Sequence, residues 1–284
     1  KTLFYADYMI DWPRTEVMSQ MLRSNLTLCV GRAGSAVDNQ EWNIVFVANT
    51  LIDMNLFYRG GNVNYSLRFS PLPRRAAFVA TPRPNFNGAF LKTLSGTQGL
   101  PQTNEFGLPA GLTPEEIFHY AYAAFHRRGY GRRYEEVLKI DFPRLLLAGN
   151  LELFRTLARL GGELVALHPM ESETPDSFIT DFIATRNPEI EKPVWAEDTV
   201  WVDKRQTTGS KSVTDDVWNF HIGFYQVCHK WLKNRKGRTL ADDDIAHYQK
   251  IIFAISETIH LIGKIEEVIE EYGGWLGAFQ NNAS

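Results

Sequence analysis

Apolar residues recur at helical spacing near the end of the chain, on both sides of a short basic segment. The first stripe consists of Val217, Phe220, Phe224, Val227, Trp231 and Leu232. The second stripe begins with Ile245, Tyr248, Ile252, Ile255, Ile259 and Ile262. Positions three, four and seven apart share one face of an α-helix, and an apolar face must be buried. The pattern predicts two long antiparallel helices between Thr214 and Trp275, joined by a basic turn.

The first 70 residues alternate with the period of a β-strand instead. Apolar and smaller side chains alternate over residues 26–30, and residues 44–48 form a continuous apolar run. Residues 71–111 are rich in proline and glycine. This composition predicts either a connector or a surface loop wrapped over the strands, with room for a helical turn or two over residues 88–94. We therefore expect a β-rich unit with a Pro/Gly-rich connector over residues 1–111.

Helical signals return at residue 113. Thr113 precedes Pro114 and stands three residues before Glu116, which is the arrangement of a capping box at a helix N-terminus. Leucines spaced for one helical face follow Asn150. We expect residues 112–284 to form a mainly helical unit with a short strand pair near 195–206. The whole chain then has an α+β fold, with an N-terminal β-rich unit, a helical middle and a C-terminal long antiparallel helix pair.

The composition narrows the class of protein. The chain has 284 residues, enough for a full hydrophobic core, and its two cysteines, Cys29 and Cys228, lie in apolar segments. We expect both to be reduced and the protein to be cytoplasmic. No apolar run approaches the length of a membrane span, so we expect no membrane partner. A net charge of −3 argues against indiscriminate nucleic-acid binding but allows a local basic surface.

The segment between the two predicted C-terminal helices carries five cations within nine residues. They are Lys230, Lys233, Arg235, Lys236 and Arg238. Cations in a last helical turn are favoured by the helix dipole, so the pattern is typical of a solvated helix end with Gly237 as its left-handed terminus. The same side chains also suit phosphate groups. Charge alone leaves both interpretations open.

Three strings, in order along the chain, resemble one family. They are KTLFYADYMIDWPRTEVMSQML, LTPEEIFHYAYAAFHRRGYGRRYEEVLKIDFPR and VWNFHIGFYQVCHKWLKNRKGRTLADDDIAHYQKII. Together they are similar to the C-terminal target-recognition (specificity) region of type ISP restriction-modification enzymes and related N6-adenine-specific DNA methyltransferases. The resemblance implies sequence-specific binding of double-stranded DNA on behalf of a methyltransferase domain in the same or a neighbouring polypeptide. It also implies a C-terminal piece of a longer polypeptide, or a relative that lacks the catalytic part.

The sequence lacks the motifs that methyl transfer requires. An adenine methyltransferase holds the flipped base with an Asp/Asn/Ser-Pro-Pro-aromatic tetrapeptide, and this chain contains no Pro-Pro dipeptide. It also contains no Phe-x-Gly-x-Gly turn and no phosphate-binding Gly-x-x-x-x-Gly-Lys motif. His221 and Cys228 lie seven residues apart without a second ligand pair, which argues against zinc. We expect no catalytic residue, metal or cofactor here, with S-adenosylmethionine bound only by an associated methyltransferase domain.

DNA recognition needs cations on phosphates and side chains on base edges. The expected phosphate contacts are the five cations of the basic turn, together with Arg127 and Arg128 in the helical middle. For base reading we expect Arg32 or Asn39, in turns of the β-rich unit, because Arg pairs with guanine and Asn with adenine in the major groove. An alternative function is a non-catalytic protein-interaction module whose apolar helical stripe docks onto methyltransferase or translocase domains.

Overall fold

The chain forms two compact units in a computed structural model that describes residues 18–31, 42–53, 56–57, 62–70, 82–103, 106–127, 129–168, 179–184 and 188–279. Unit 1 comprises Lys1–Val165 and Lys264–Ser284, and unit 2 comprises Ala166–Gly263. The limits of the two units reflect which residues contact each other in space, not their order in the sequence. The division at residue 111, which was expected from the sequence, stays a prediction.

A three-stranded antiparallel sheet lies in the N-terminal part of unit 1. Its strands are β1 (Thr27–Gly31), β2 (Val45–Ala48) and β3 (Asn62–Ser66), with β1 in the centre. The register pairs Leu28 with Val47 on one side and with Tyr65 on the other. Every residue of β1 is buried. The strands predicted over residues 26–30 and 44–48 are therefore confirmed.

The proline- and glycine-rich stretch contains a regular helix. Helix α1 (Gly88–Gln98) begins after Asn87, whose side chain accepts a hydrogen bond from Ala89 N at 2.8 Å. Two short ladders flank it: β4 (Arg68–Phe69) with β5 (Arg83–Pro84), and β6 (Gln102–Thr103) with β7 (Leu108–Pro109). The sequence allowed a helical turn or two over residues 88–94, and α1 extends beyond them to Gln98, because Pro84 and Pro101 lie outside the helix and do not oppose it.

The middle of unit 1 is helical, as predicted. Helix α2 (Pro114–His126) begins with the predicted capping box, in which Glu116 N donates to Thr113 Oγ1 (3.1 Å) and Thr113 N donates to the Glu116 carboxylate (2.8 Å). The helices α3 (Tyr130–Arg133), α4 (Glu135–Ile140) and α5 (Leu151–Leu167) follow. The side chain of Asn150 accepts a hydrogen bond from Leu153 N at 2.9 Å, so it caps α5 as the sequence indicated.

Helices α2 and α5 approach each other closely at Gly161. A Cβ atom built on Gly161 would lie 1.9 Å from the carbonyl oxygen of His119. Only a residue without a side chain fits this backbone-to-backbone contact. The neighbouring leucines of α5, including Leu157 and Leu160, are buried on the same helix.

Unit 2 contains a four-stranded antiparallel sheet of β8 (Phe182–Ile183), β9 (Val194–Ala196), β10 (Thr199–Trp201) and β11 (Gly209–Lys211). The strand order is β8-β11-β10-β9. Strands β9 and β10 are the pair predicted near residues 195–206. Val200 of β10 is completely buried, and it joins Val213 and Val217 in the core of this unit.

The C-terminal region confirms one predicted long helix and corrects the other. Helix α8 (Asp242–Glu271) is continuous over 30 residues. The segment before it consists of α6 (Asp215–Trp218), a hairpin of β12 (His221–Ile222) and β13 (Tyr225–Gln226), and α7 (Val227–Lys233). Gly223 adopts a φ of +54° in the hairpin, a conformation that an α-helix does not contain. The prediction of one long helix is therefore wrong for this segment, while the α+β fold class is confirmed.

The apolar stripe of α8 is buried inside the chain. Tyr248 and Ile252 lie in the core of unit 2, where Cys228 and Leu232 of α7 also lie. Farther along the same helix, residues from Lys264 onwards belong to unit 1, which also includes the short helix α9 (Gly274–Ala278). Among the described residues, no helix is both long and apolar enough to cross a membrane.

Candidate nucleic-acid interface

The basic turn, residues 230–238, runs from the last residues of α7 to the segment that precedes α8. Helix α7 ends at Lys233, and Arg235 N then donates to Leu232 O at 2.9 Å. Gly237 adopts a φ of +77°, the left-handed conformation expected from the sequence, although it lies four residues after the helix end. The turn is therefore longer than a simple helix cap.

Backbone hydrogen bonds hold the basic turn against residues 188–192, which we call the strap. Gly237 N donates to Ile190 O at 2.8 Å, and Ile190 N donates to Arg238 O at 3.1 Å. Leu240 N donates to Pro188 O at 2.9 Å. Because three bonds connect these segments over a few residues, the backbone of the turn is preorganised.

Four of the five cations in the basic turn are exposed to solvent. They are Lys230, Lys233, Lys236 and Arg238. None of the four forms an ion pair with a carboxylate within the described ranges. The Nζ atom of Lys230 lies 5.0 Å from the centre of the Tyr225 ring, a contact that leaves the ammonium group accessible. These side chains are therefore available to bind an external anion.

Arg235 is oriented differently from the other four cations. Its guanidinium carbon lies 3.7 Å from the centre of the Trp231 ring, and its Nη1 donates to Trp231 O at 3.3 Å. Its Nε lies 3.6 Å from Asp244 Oδ1, and the side chain is 29% exposed. These contacts occupy much of the guanidinium within unit 2. The expected role of Arg235 in binding DNA stays a prediction.

Two histidines near the basic turn add little positive charge at neutral pH. Burial, and then the nearby charge of Lys233, lower the pKa of His229. Burial lowers the pKa of His247, and the charges of Arg235 and Lys250 act in the same direction, against an opposing effect of Asp244. The positive charge of this surface at neutral pH therefore comes from lysine and arginine.

The predicted sites in unit 1 are only partly described. Arg127 follows α2, and its side chain is 7% exposed, with Nε 3.4 Å from Glu266 Oε2. Its guanidinium carbon also lies 4.3 Å from the centre of the Trp275 ring. Arg32, Asn39 and Arg128 lie outside the described residues. The DNA-binding roles expected for all four stay predictions, and the contacts of Arg127 favour a structural role.

Two further cations, Lys204 and Arg205, are not among the DNA contacts expected from the sequence. Both are exposed in the turn that connects β10 to β11. The string Asp-Lys-Arg-Gln between two strand-like runs was a signal for a turn with two adjacent cations. Its proximity to the basic turn depends on contacts of the strap, which one sequence does not reveal.

Neither the two cysteines nor a cluster of metal ligands provides a functional site among the described residues. Burial raises the pKa of both Cys29 and Cys228 to about 12, so neither thiol is an activated nucleophile. The described part of the chain contains no group of three or more His, Cys, Asp or Glu residues arranged to hold a metal ion. The basic turn, with its exposed cations on a fixed backbone, is therefore the candidate binding surface.

Comparison with solved structures relates the fold to three larger proteins. The first is "ATP-dependent Type ISP restriction-modification enzyme LlaBIII bound to DNA", with a TM-score of 0.67 and 18% identity over 92% of this chain and 17% of that one. The second is a DrdV–DNA complex, with a TM-score of 0.64 and 17% identity over 88% and 25% of the two chains. The third is a nuclease-deletion mutant of the Type ISP enzyme LlaGI with a DNA substrate mimic, with a TM-score of 0.54 and 15% identity over 85% and 18%.

These similarities support the fold, since all three identities lie below 20%. The chain spans between 17% and 25% of the length of these solved chains. No curated protein matches it. The family model of the Type ISP C-terminal specificity domain, however, matches residues 1–264, and the chain belongs to this family.

Proposed function

We propose that this chain is the DNA target-recognition part of a Type ISP restriction-modification enzyme, and that it binds duplex DNA at a specific sequence. The observation that carries the proposal is the basic turn, with four exposed cations on a backbone fixed by the strap. Because the chain belongs to a family of specificity domains, DNA is the anion that we propose for this surface. The solved relatives LlaBIII and DrdV, which share the fold, are bound to DNA.

The physical basis of the binding is the release of counterions from DNA. Each phosphate neutralised by a lysine or arginine contributes about −0.9 to the slope of log K against log salt concentration. Four contacts from the basic turn give a slope of about −3.6. Such contacts fix the register of the protein on the duplex without distinguishing one base pair from another.

Sequence specificity requires other side chains on the base edges. We assign this role to Arg32 or Asn39, which suit guanine and adenine respectively. Arg128 is a further candidate for a phosphate contact, whereas the ion pair of Arg127 with Glu266 favours a structural role for Arg127. Replacing Arg32 or Asn39 by Ala is expected to relax the preference at one base pair and to leave the salt slope unchanged.

The reaction itself is assigned to a neighbouring domain. The chain has no Pro-Pro dipeptide and no Gly-rich phosphate motif, so we propose that an adenine methyltransferase domain in the same or an adjacent polypeptide binds S-adenosylmethionine and transfers the methyl group. In this proposal the chain recognises the target sequence on cytoplasmic DNA and contributes no catalytic residue.

The alternative of a protein-interaction module is less well supported. It requires that the apolar stripe of α8 be free to dock on another domain. Tyr248, Ile252 and Ile255 of this stripe are 1%, 0% and 6% exposed within the chain itself. Their burial leaves no apolar seam on this part of α8 for an external partner.

The proposal is tested by fluorescence anisotropy with duplex DNA over a series of salt concentrations. The triple variant Lys230→Gln, Lys233→Gln and Lys236→Gln should lose nearly three units of salt slope, at about −0.9 per contact. The control is a triple variant at exposed lysines of unit 1, with Lys92, Lys139 and Lys264 each changed to Gln. Affinity of the unmodified chain that is indifferent to salt would overturn the proposal.

Specificity is tested separately by selecting duplexes from a randomised pool. Bound duplexes should converge on one short site, because discrimination at each well-read base pair contributes about 1–3 kcal/mol. A pool that stays random after repeated selection, despite salt-dependent binding, contradicts target recognition by this chain alone.

A further inference from the structure

The turn between β10 and β11 is held rigidly by the side chain of Asp203. Its carboxylate accepts hydrogen bonds from Thr207 N (3.0 Å), Thr208 N (2.9 Å) and Thr207 Oγ1 (2.9 Å). Gln206 N also donates to Asp203 O at 3.3 Å, and Gln206 adopts a φ of +54°. The residues between Asp203 and Gln206 are Lys204 and Arg205, and both are exposed. The turn thus presents two adjacent cations on a fixed backbone.

The carboxylates beside these two cations are engaged with the backbone. Burial opposes ionisation of Asp203, but the hydrogen bonds from Thr208 and Thr207 outweigh it and lower the pKa of its carboxyl group. Glu191 Oε2 accepts a hydrogen bond from Lys204 N at 3.1 Å. Neither Lys204 nor Arg205 forms an ion pair in the part of the chain that the structure describes. The ammonium group of Lys204 and the guanidinium group of Arg205 are therefore not held by a carboxylate of these acids.

The strap joins this turn to the basic turn. Ile190 exchanges two backbone hydrogen bonds with Gly237 and Arg238. The next residue, Glu191, donates its backbone N–H to Val202 O at 2.9 Å. Ile190 and Glu191 are adjacent, with Cα atoms about 3.8 Å apart. The strap therefore connects the basic turn to Val202, the residue that immediately precedes Asp203 of the β10–β11 turn.

We infer that Lys204 and Arg205 extend the basic turn into one continuous phosphate-binding surface, and that the β10–β11 turn is a second contact to the DNA backbone. This inference rests on the proposed function. Phosphates of one strand follow each other with a rise of about 3.4 Å, so a surface that spans two neighbouring turns meets several phosphates in succession. The two cations position the duplex and do not read its sequence.

The test compares the unmodified chain with the double variant Lys204→Gln and Arg205→Gln. Binding to a mixed-sequence duplex is measured by anisotropy between about 50 and 200 mM salt. Loss of two phosphate contacts should reduce the magnitude of the salt slope by about two units and weaken binding roughly ten- to a hundredfold near 0.1 M salt. Duplexes of different sequence should be affected equally. The charge-preserving variant Lys204→Arg and Arg205→Lys should keep the slope.

The matched control is Lys211→Gln. Lys211 is an exposed lysine of β11 and pairs with Thr199, at the opposite end of the same hairpin from the β10–β11 turn. Its replacement should leave the slope unchanged. Far-ultraviolet circular dichroism and thermal unfolding of each variant verify that the fold is retained, as expected for substitutions of exposed side chains.

The outcomes separate this inference from the function on which it rests. If the unmodified chain binds duplex DNA with a salt slope and the double variant behaves in the same way, the inference is overturned and the proposed function stands. If the charge-preserving variant loses as much affinity as the Gln variant, the turn does not act through phosphate charge, which also overturns the inference. If the unmodified chain shows no salt-dependent binding, both proposals fail.

Discussion

The guanidinium of Arg235 lies 3.7 Å from the centre of the Trp231 ring, inside a turn whose other cations face solvent. Trp231 in turn stacks on Tyr248 of α8, with ring centres 5.1 Å apart. One cation of the basic turn therefore connects α7 to α8, while the remaining four are left for an external anion. The same short segment thus stabilises its own conformation and presents charge.

Replacing Arg235 separates these two roles. Arg235→Lys keeps the charge but removes the planar stacking on Trp231 and weakens the approach to Asp244, so we expect a loss of about 1–2 kcal/mol in the free energy of unfolding. DNA binding by the folded variant should change little. Urea denaturation measures the first effect and anisotropy the second. Lys236→Ala, at an exposed position, is the control and should stay within about 0.5 kcal/mol of the unmodified chain. Equal stability of the two variants would contradict the structural role of Arg235.

Local signals in the sequence were sufficient where neighbours along the chain determine the structure. The capping box of Thr113 and Glu116 and the stripe of α8 were predicted correctly, because both depend on residues a few positions apart. The helix over residues 214–233 was predicted wrongly. Its apolar spacing is equally compatible with two short helices around a hairpin, and the choice depends on the left-handed Gly223.

The candidate site shows the same limit. Clustered cations identified the basic turn, but the inward orientation of Arg235 depends on Trp231 and Asp244 and was not foreseen. Lys204 and Arg205 lie near the turn only through the hydrogen bonds of the strap, between residues distant in sequence. Such contacts are tertiary, and no pattern in a single sequence encodes them directly.

A second prediction concerns the ion pair of Arg127 with Glu266 in unit 1. Arg127→Met removes the ion pair between Arg127 and Glu266, whose side chains are 7% and 23% exposed. Loss of one partner of a largely buried ion pair costs about 2–4 kcal/mol of folding free energy. Because this loss includes the interaction with Glu266, Arg127→Met should cost less in a Glu266→Gln background than in the unmodified chain. Urea denaturation of the single and double variants, with Arg155→Ala as an exposed control, measures the coupling. Additive losses would contradict a direct interaction.

A third prediction uses the adjacent glycines of α5. Ala at position 161 would place its Cβ 1.9 Å from the carbonyl oxygen of His119, so Gly161→Ala should destabilise the chain by about 3 kcal/mol or more. Gly162→Ala meets only the ring of His119, with Nδ1 at 3.0 Å and Cε1 at 3.4 Å, and a side chain can move, so its effect should be small. Gly96→Ala, in the open, should stabilise α1 by up to about 1 kcal/mol. Thermal unfolding measures the stability of the three variants, which should increase in the order Gly161→Ala, Gly162→Ala, Gly96→Ala. Tolerance of Ala at position 161 would exclude the backbone contact between α2 and α5.

The last prediction concerns the response of stability to acid. Burial lowers the pKa of His126 to about 4, against the opposing effect of its hydrogen bond to Tyr122 O, from the ordinary value of 6.5. His126 Nδ1 lies 2.9 Å from Tyr122 O, so the neutral ring donates this bond. As the pH falls below 6.5, the unfolded chain takes up a proton on this ring while the folded chain does not until the pH reaches about 4.

The free energy of unfolding should therefore decrease between these two pH values, by roughly 2 kcal/mol from this residue after allowance for its partial exposure. His126→Gln should remove that part of the loss, while His260→Gln, which changes an exposed histidine of α8, should retain it. Urea denaturation of the three proteins at several pH values gives the difference directly, because the carboxyl groups that titrate in the same range are common to all of them. If the pH dependence of His126→Gln matches that of the unmodified chain, the histidine is not buried in its neutral form.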